Sequence, residues 1–315
     1  MPPQFNYEPL TPTAFLARAA VVFGDRLAVA DDGTRFTYRE FHARCLRFAG
    51  ALRKLGVAPG ERVAVFAPNT HVLLAAHYAV PLAGAVLVAL NTRITADDIA
   101  YILEHAGVRV LIYDDAYAET ALNACGRANA GVLALRAGGE RDDLEALIAS
   151  AAPFEHPVAD ERAMLAINYT SGTTGKPKGV MYHHRGAYLQ ALAMALHMGL
   201  TSDSKYLWTL PMFHCNGWCF PWTMAANAGT NDCLRKVEAK AIFDQIRLHK
   251  VTHYCGAPIV HQTLINAPAE MKRGIDHQVS ALVAAAAPPA SMMEGMQKMG
   301  FNLTHVYGLT EVYGP

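Results

Sequence analysis

A run of small residues that ends in two lysines is the segment of this sequence best suited to chemistry. Residues 167–179 read INYTSGTTGKPKG, in which glycines and hydroxyl residues follow directly on an apolar run. Side chains this small let backbone N–H groups approach phosphate oxygens, and the hydroxyls add further donors. The segment predicts an anion-binding loop that contains Thr170, Ser171, Gly172, Thr173, Thr174 and Gly175, with positive charge from Lys176 and Lys178.

This loop differs from the phosphate loop of the common nucleoside triphosphatases. The Walker A motif is G-x-x-x-x-G-K-[ST]. Here Gly175-Lys176 is followed by Pro177, and the position five before Gly175 is Thr170. The Walker A interpretation is therefore excluded, and a flexible turn of glycine, serine and threonine residues is the structural alternative.

A histidine and two cysteines form a second candidate group. His214, Cys215 and Cys219 lie close together, and His183 and His184 precede them in the chain. This spacing lacks the paired C-x-x-C or H-x-x-x-H ligands of structural zinc sites, so we do not expect metal ligation. A Cys–His nucleophile is not expected either, because neighbours on a strand point to opposite faces. His214 is then either a satisfied core histidine or part of a binding site.

Apolar β-rich runs alternate with helical periodicity, and these elements must position the candidate residues. The chain has 315 residues, of which 52% are hydrophobic and 17% are charged, enough for a large core. The alternation predicts an α/β fold with largely buried parallel strands. Strands are predicted at 63–67, 85–90, 108–113, 164–169, 206–210, 251–255, 279–284 and 303–306, and helices at 38–55 after Thr37, 96–105 after Thr95, and 240–249.

Two segments need a separate interpretation. Residues 72–90 are apolar enough to resemble a membrane span, but Pro81 and Gly84 interrupt them. We therefore predict a buried helix, a break at 81–84 and a strand. Residues 136–160 resemble a loosely structured connection, and they predict a possible joint between subdomains of a single domain that covers residues 1–315.

Charge and cysteine content limit the partners and the compartment. Lys plus Arg and Asp plus Glu both number 27, so no basic face for nucleic acid or anionic lipid is indicated, and small-molecule partners are expected. Six irregularly spaced cysteines in a long chain favour a reducing compartment. The first thirty residues lack the pattern of a secretory signal, so we predict a cytoplasmic protein.

Three motifs resemble those of one family, the AMP-binding, adenylate-forming acyl-CoA synthetases. Residues 169–179 resemble its phosphate-binding signature, residues 307–311 (YGLTE) its Y-G-x-T-E motif, and residues 211–214 (PMFH) its P-x-x-H segment. The longer string PMFHCNGWCFPW is similar to a branch of plant acyl-activating enzymes and bacterial relatives that use short- or medium-chain, aromatic or methylthio-substituted acids. The resemblance implies stacked, largely parallel sheets with flanking helices, the large N-terminal domain of this fold.

The resemblance also implies an activity. A carboxylate attacks the α-phosphorus of ATP, pyrophosphate leaves, and the thiol of coenzyme A then opens the mixed anhydride. The loop at 170–178 would hold the β- and γ-phosphates, Thr310 would donate to the α-phosphate, and Glu311 would bind the Mg²⁺ that bridges phosphate oxygens. The residues implied in catalysis are Lys178, His214, Thr310 and Glu311.

Further residues are implied in binding adenine and the acyl group. Adenine would contact Tyr307 and the segment Ala286, Ala287 and Pro288, with His305 beside the nucleotide. The acyl pocket would be formed by His214, Gly217, Trp218, Gly256, Ala257, Ala285 and Gly308. The family usually has glycine in place of Ala285, whose methyl group either narrows the pocket or is accommodated by a strand shift. The tryptophans near His214 predict short or branched acids, unless they are simply core residues.

The resemblance stops after the Y-G-x-T-E motif. The family's ribose-binding aspartate, its hinge and its C-terminal domain with the adenylation lysine have no counterpart in residues 312–315. We therefore expect this chain to be the truncated N-terminal part of an acyl-CoA synthetase that uses ATP, Mg²⁺ and coenzyme A. The alternatives are another adenylate-forming enzyme or a nucleotide-binding module without turnover.

Overall fold

The computed structural model describes residues 7–170, 175–284 and 287–315. Within these residues the chain forms thirteen strands. They are β1 (Leu27–Asp31), β2 (Thr34–Thr37), β3 (Arg62–Phe66), β4 (Val86–Ala89), β5 (Val108–Asp114), β6 (Leu133–Ala137), β7 (Met164–Thr170), β8 (Lys178–His183), β9 (Lys205–Leu207), β10 (Thr230–Asp232), β11 (His253–Gly256), β12 (Val279–Val283) and β13 (Phe301–His305).

Helices connect these strands. They are α1 (Thr13–Val22), α2 (Tyr38–Lys54), α3 (His71–Leu82), α4 (Ala96–Ala106), α5 (Ala118–Arg127), α6 (Asp143–Ala149), α7 (His184–Met198), α8 (Cys215–Trp218), α9 (Phe220–Asn227), α10 (Ala239–His249), α11 (Pro258–Ile265), α12 (Ala269–Lys272) and α13 (Ala290–Lys298). Two 3₁₀ turns cover Asp115–Tyr117 and Thr310–Val312.

The strands form two sheets, in agreement with the stacked sheets that the family resemblance implied. The larger sheet has the order β13-β12-β11-β9-β10-β1-β2, and the smaller has the order β6-β5-β3-β4-β7-β8. Among the described strands only β2 and β8, at the ends of these orders, pair antiparallel. The prediction of largely parallel sheets is confirmed.

Apolar residues on both faces of each sheet produce a five-layered molecule. In β3, Val63 and Val65 face a central core, whereas Ala64 and Phe66 face an outer one, as the two-residue period of a strand requires. The central core lies between the sheets and contains α2, α3, α7 and α9. Helices α4 and α5 cover the smaller sheet, and α10, α11 and α13 cover the larger sheet.

Local capping explains why two predicted helices begin where they do. The Thr37 side chain accepts a hydrogen bond from Glu40 N, and the Glu40 carboxylate accepts one from Thr37 N. The backbone N–H groups of both residues at the start of α2 are therefore hydrogen-bonded. Thr95 and Asp98 form the same pair at the start of α4. Both predicted N-caps are confirmed.

The apolar stretch at 72–90 forms a buried helix followed by a strand, as predicted. Pro81 lies inside the last turn of α3, and the break comes after it, where Gly84 adopts a φ of +78° before β4. Side chains are buried throughout residues 72–82, because both sheets and their helices surround this helix. Among the described residues, no helix is both long enough and apolar enough to cross a bilayer.

Several predicted boundaries were wrong. Strand β9 ends at Leu207 rather than at 210, because the Asn69 side chain donates to the carbonyls of Trp208 (2.7 Å) and Leu210 (3.0 Å) and draws the chain out of the sheet. The last strand lies at 301–305, not 303–306. Five short or amphipathic strands were not predicted: β1, β2, β6, β8 and β10.

The connection at 136–160 is more ordered than predicted. It contains the end of β6 and all of α6, which Asp142 caps by accepting a hydrogen bond from Glu145 N at 2.9 Å. The buried Arg44 pairs with Glu145 and ties α6 to α2. Strands β6 and β7, on either side of this connection, belong to the same sheet.

Candidate active site

A cavity of about 700 Å³ opens where the carboxyl ends of strands from both sheets meet. Loops that follow parallel strands converge at this edge, which is where open α/β sheets bind their ligands. Residues after β4, β9, β11, β12 and β13 line the cavity, together with the last residue of β7 and the first residue of β8. The fold therefore brings together segments that are more than 200 residues apart in the sequence.

The first and last residues of the predicted phosphate loop line this cavity. Thr170 ends β7, Lys178 begins β8, the two residues pair across the hairpin, and both line the cavity. Gly175 adopts a φ of +91°, which glycine permits at low cost. The four central residues of the prediction, Ser171, Gly172, Thr173 and Thr174, lie outside the described residues.

The two lysines of the loop differ in position. Lys178 lines the cavity, whereas the ammonium of Lys176 lies over the Tyr101 ring on α4, 5.3 Å from the ring centre. This cation–π contact holds Lys176 outside the cavity lining. The structure thus separates two residues that the sequence analysis expected to supply positive charge to the same loop.

The Y-G-x-T-E segment forms a folded turn directly after β13. Gly308, Leu309, Thr310 and Glu311 all line the cavity, and Leu309 bridges to Gly314, which closes the turn. The Tyr182 hydroxyl donates to the Thr310 carbonyl oxygen at 2.6 Å, and the Thr310 hydroxyl lies 3.4 Å from Cys215 Sγ. These contacts fix the threonine, while the Glu311 side chain remains exposed at the rim.

His214 lies between two parts of the site. It lines the main cavity and also a smaller one of about 100 Å³ that reaches toward Tyr169 and Ile94. Burial lowers the pKa of His214, so the imidazole is neutral at physiological pH. Thr170 and Thr310 line the same two cavities. A neutral imidazole there can orient a ligand by hydrogen bonding, but it does not supply positive charge to a phosphate.

A left-handed turn follows His214. All four residues of α8 and the next residue, Cys219, have positive φ, between +39° and +65°. L-residues adopt this conformation at a cost of about 1–2 kcal/mol each, so other contacts must stabilise it. Asn168 of β7 supplies them: its Oδ1 accepts from Asn216 N at 3.0 Å, and its Nδ2 donates to the Asn216 side chain.

This turn corrects one premise of the sequence analysis. We expected the side chains of His214 and Cys215 to diverge because the segment was taken as a strand, but both line the cavity. Burial raises the pKa of Cys215, so its thiol is protonated. His183 caps α7 through Gly186 N at 2.9 Å, and His184 bonds Thr11 at 2.9 Å; neither lines the cavity.

Only some of the predicted acyl residues reach the cavity surface. Trp218, Ala257 and Gly308 line it, while Gly217 and Gly256 are buried behind the lining. A Cβ at Gly217 would lie 2.7 Å from the Trp208 ring, so this glycine lets the left-handed turn pack against the indole that follows β9. Trp222 is a core residue whose indole donates to Tyr313 Oη at 2.8 Å.

The predicted adenine residues are not gathered at the cavity. Tyr307 is 81% exposed, His305 and Ala287 are exposed, and Pro288 is half-buried; none of the four lines the cavity. Ala285 and Ala286 lie outside the described residues, next to Ala284, which does line the cavity. Their roles stay predictions.

The sequence analysis missed several cavity residues. Asn91 and Arg93 follow β4, Thr209 follows β9, Val237 follows β10, and Ile259 with Val260 follows β11. The available signal was their position just after a strand, since the carboxyl ends of parallel strands share one edge of the sheet.

Known proteins share both the sequence pattern and this fold. The model of the family described as AMP-binding enzyme matches residues 16–315. The peroxisomal acetate/butyrate–CoA ligase of Arabidopsis thaliana is 41% identical over 98% of this chain, and the chain spans 59% of that relative's length. The acetate–CoA ligase of Humulus lupulus is 42% identical with the same coverage.

Solved structures agree in fold. A benzoate CoA ligase from Burkholderia xenovorans superposes with a TM-score of 0.87 at 26% identity, over 96% of this chain and 62% of that one. The N-terminal domain of FACL13 from Mycobacterium tuberculosis superposes with a TM-score of 0.88 at 25% identity, over 96% of this chain and 77% of that one. The family model covers nearly the whole chain and the overall fold is shared, so the chain belongs to the AMP-binding enzyme family.

Proposed function

We propose that this chain forms the nucleotide- and acyl-binding part of an ATP-dependent acid:CoA ligase. The ligase activates a short- or medium-chain carboxylic acid as an acyl-adenylate and then transfers the acyl group to coenzyme A. The observation that carries this proposal is the single cavity on which Thr170 and Lys178, His214, and residues 308–311 converge. The names of the relatives, which include acetate/butyrate, benzoate and trans-cinnamate CoA ligases, support the reaction class.

The chemistry requires two anions to meet. A carboxylate oxygen attacks the α-phosphorus and pyrophosphate leaves; the sulfur of coenzyme A then attacks the acyl carbon and AMP leaves. Lys178 supplies positive charge for the phosphates. The Thr310 hydroxyl is a donor that lies 3.4 Å from Cys215 Sγ, and the Tyr182 hydroxyl holds the backbone of the same residue. Preorganised donors of this kind stabilise developing negative charge without reorganising during the reaction.

The donor set fits Mg²⁺ brought in with ATP. Mg²⁺ binds proteins through one or two carboxylates and completes its octahedron with substrate phosphates and water. Glu311 is the carboxylate among the described lining residues, and it is exposed at the rim of the cavity. It would hold the ion, which when bound neutralises part of the phosphate charge.

The size of the acid is part of the proposal. Trp218, Val237, Ile259 and Val260 belong to the apolar part of the cavity lining. A buried indole takes up room that a long acyl chain would need, which supports short, branched or aromatic acids.

Location in the cell also remains a proposal. All six cysteines lie in the described part of the chain and are free thiols, which supports a reducing compartment such as the cytoplasm. Several plant relatives carry the word peroxisomal in their names, so fractionation of cells that express the protein should compare these two compartments.

The adenylate site can be tested by binding. The 315-residue chain, checked for folding by circular dichroism, is titrated calorimetrically with a non-hydrolysable butyryl-adenylate mimic. We expect saturable binding, and Thr310→Ala should weaken it about 10- to 100-fold, since a hydrogen bond to a charged group contributes about 1.5–3 kcal/mol. Thr304→Ala, at an exposed position on β13, is the matched control and should bind as the wild type does. A folded wild-type chain that does not bind the mimic would refute the proposed function.

The two loop lysines give a second test. Lys178→Gln should weaken ATP binding about 10- to 100-fold, because it removes a charge that lines the cavity. Lys176→Gln removes a charge that lies over the Tyr101 ring and does not line the cavity. This variant should therefore change ATP binding less than about threefold. Equal losses in the two variants would contradict the separation of the lysines seen in the structure.

A further inference from the structure

Arg93 is a second cation on the wall of the cavity that carries Lys178. We infer that Arg93 binds the pyrophosphoryl part of ATP and so acts with Lys178 to hold the β- and γ-phosphates. This inference rests on the proposed function and adds a residue that lies outside all three family motifs quoted above. It also explains how the site obtains a second positive charge although Lys176 faces Tyr101.

Arg93 follows the strand that lies next to β7 in the smaller sheet. Strands β4 and β7 are parallel neighbours, so their carboxyl ends lie at the same edge of the sheet. Asn91 and Arg93 follow β4, and Thr170, which ends β7, pairs with Lys178. All four residues line the same cavity, so both cations can reach one ligand.

The backbone around Arg93 is held in place. Arg93 N donates to Asn91 Oδ1 at 2.9 Å, which fixes the bend after β4, and the Thr95–Asp98 capping box starts α4 two residues later. The acidic residues of that helix turn are already engaged: Asp98 with Thr95, and Asp97 with Arg127 at 2.5 Å. None of the ion pairs among the described residues includes Arg93, so its guanidinium is available to a ligand.

The charge of the wall selects a polyphosphate over a carboxylate. Among the described lining residues, Arg93 and Lys178 are the cations and Glu311 the anion. A guanidinium presents paired donors that match phosphate oxygens, and two cations on one cavity suit a ligand with several negative charges. The acyl carboxylate carries one charge, and its chain requires the apolar part of the cavity near Trp218 and Val260.

The test compares ligands with and without the pyrophosphoryl group. The 315-residue chain and its Arg93→Gln, Arg93→Lys and Arg109→Gln variants are titrated with ATP, with inorganic pyrophosphate and with the butyryl-adenylate mimic. Arg109 is the matched control, because it is exposed near the amino end of β5 in the same sheet and does not line the cavity.

We expect Arg93→Gln to weaken ATP and pyrophosphate binding about 10- to 100-fold. Its affinity for the butyryl-adenylate mimic should stay within about twofold of the wild-type value. The affinity of Arg93→Lys for ATP and pyrophosphate should lie between those of the wild type and Arg93→Gln, since lysine keeps the charge but loses the paired donors. The inference is overturned if Arg93→Gln binds ATP as the wild type does, or if it loses the mimic to the same extent. A wild-type chain that binds none of the three ligands overturns the proposed function as well.

Discussion

Replacing Gly308 with alanine is expected to lower affinity for the butyryl-adenylate mimic about 100-fold, because it displaces Thr310 and so costs the mimic a hydrogen bond to a charged group, worth about 1.5–3 kcal/mol. Gly308 lines the cavity, and a Cβ at this position would overlap the carbonyl group of Gly314 and the nitrogen of Pro315. Both obstacles are backbone atoms of the turn that the Leu309–Gly314 bridge closes. The turn must open, and Thr310 moves with it.

Calorimetric titration and thermal unfolding together check this result. The matched control is Gly126→Ala near the end of α5, where a new Cβ meets no atom within 4 Å. That variant should bind normally and gain about 0.5–1 kcal/mol of stability, the usual effect of replacing a helical glycine with alanine. Gly308→Ala with wild-type affinity would show that the segment tolerates displacement and would contradict its role as a rigid support for Thr310.

Replacing Asn168 with leucine should destabilise the protein by about 2–5 kcal/mol and abolish measurable binding of the mimic, since two buried polar groups lose their partners. Those groups are the backbone N–H and the side-chain oxygen of Asn216, both bonded to Asn168. Asn168 is 2% exposed and Asn216 fully buried, so water does not replace the lost bonds. Without them the left-handed turn at 215–219 should relax, and Cys215 and Trp218 should leave the cavity wall.

Urea unfolding at fixed pH measures the loss of stability, and calorimetry measures the loss of binding. Asn302→Leu, the same chemical change at an exposed position on β13, should alter the free energy of unfolding by less than about 0.5 kcal/mol. If Asn168→Leu matched this control in both measurements, the Asn168–Asn216 pair would not be what stabilises the turn.

The fold class could be predicted from the sequence because its signals are local. Strands such as β3, β5 and β7 are continuous apolar runs, since both of their faces are buried. The Thr37 and Thr95 caps act on residues three positions away, so their pattern is readable in a short window. The missed strands are either short, like β10, or half-exposed, like β2 and β8. Strand β10 also pairs with β1, which lies far earlier in the chain, so no local pattern announces it.

The composition of the site was also readable, but not the direction of its side chains. The motifs at 167–179, 211–214 and 307–311 named Thr170, Lys178, His214, Thr310 and Glu311, and all five line one cavity. The same motifs did not show that Lys176 faces Tyr101. A cation–π contact between a loop and a neighbouring helix depends on how the two elements pack.

The sequence by itself determined the α/β class, the family and several of the residues that line the cavity, because helix caps, apolar runs and motifs act over a few neighbouring residues. Only the tertiary structure decided that Arg93 joins the wall, that Asn69 ends β9 and that residues 215–219 turn left-handed. In each of these cases the partner lies far away in the chain, as Asn168 does from Asn216. Contacts of that kind exist only after the sheets have assembled, and they override the conformation that the local sequence prefers.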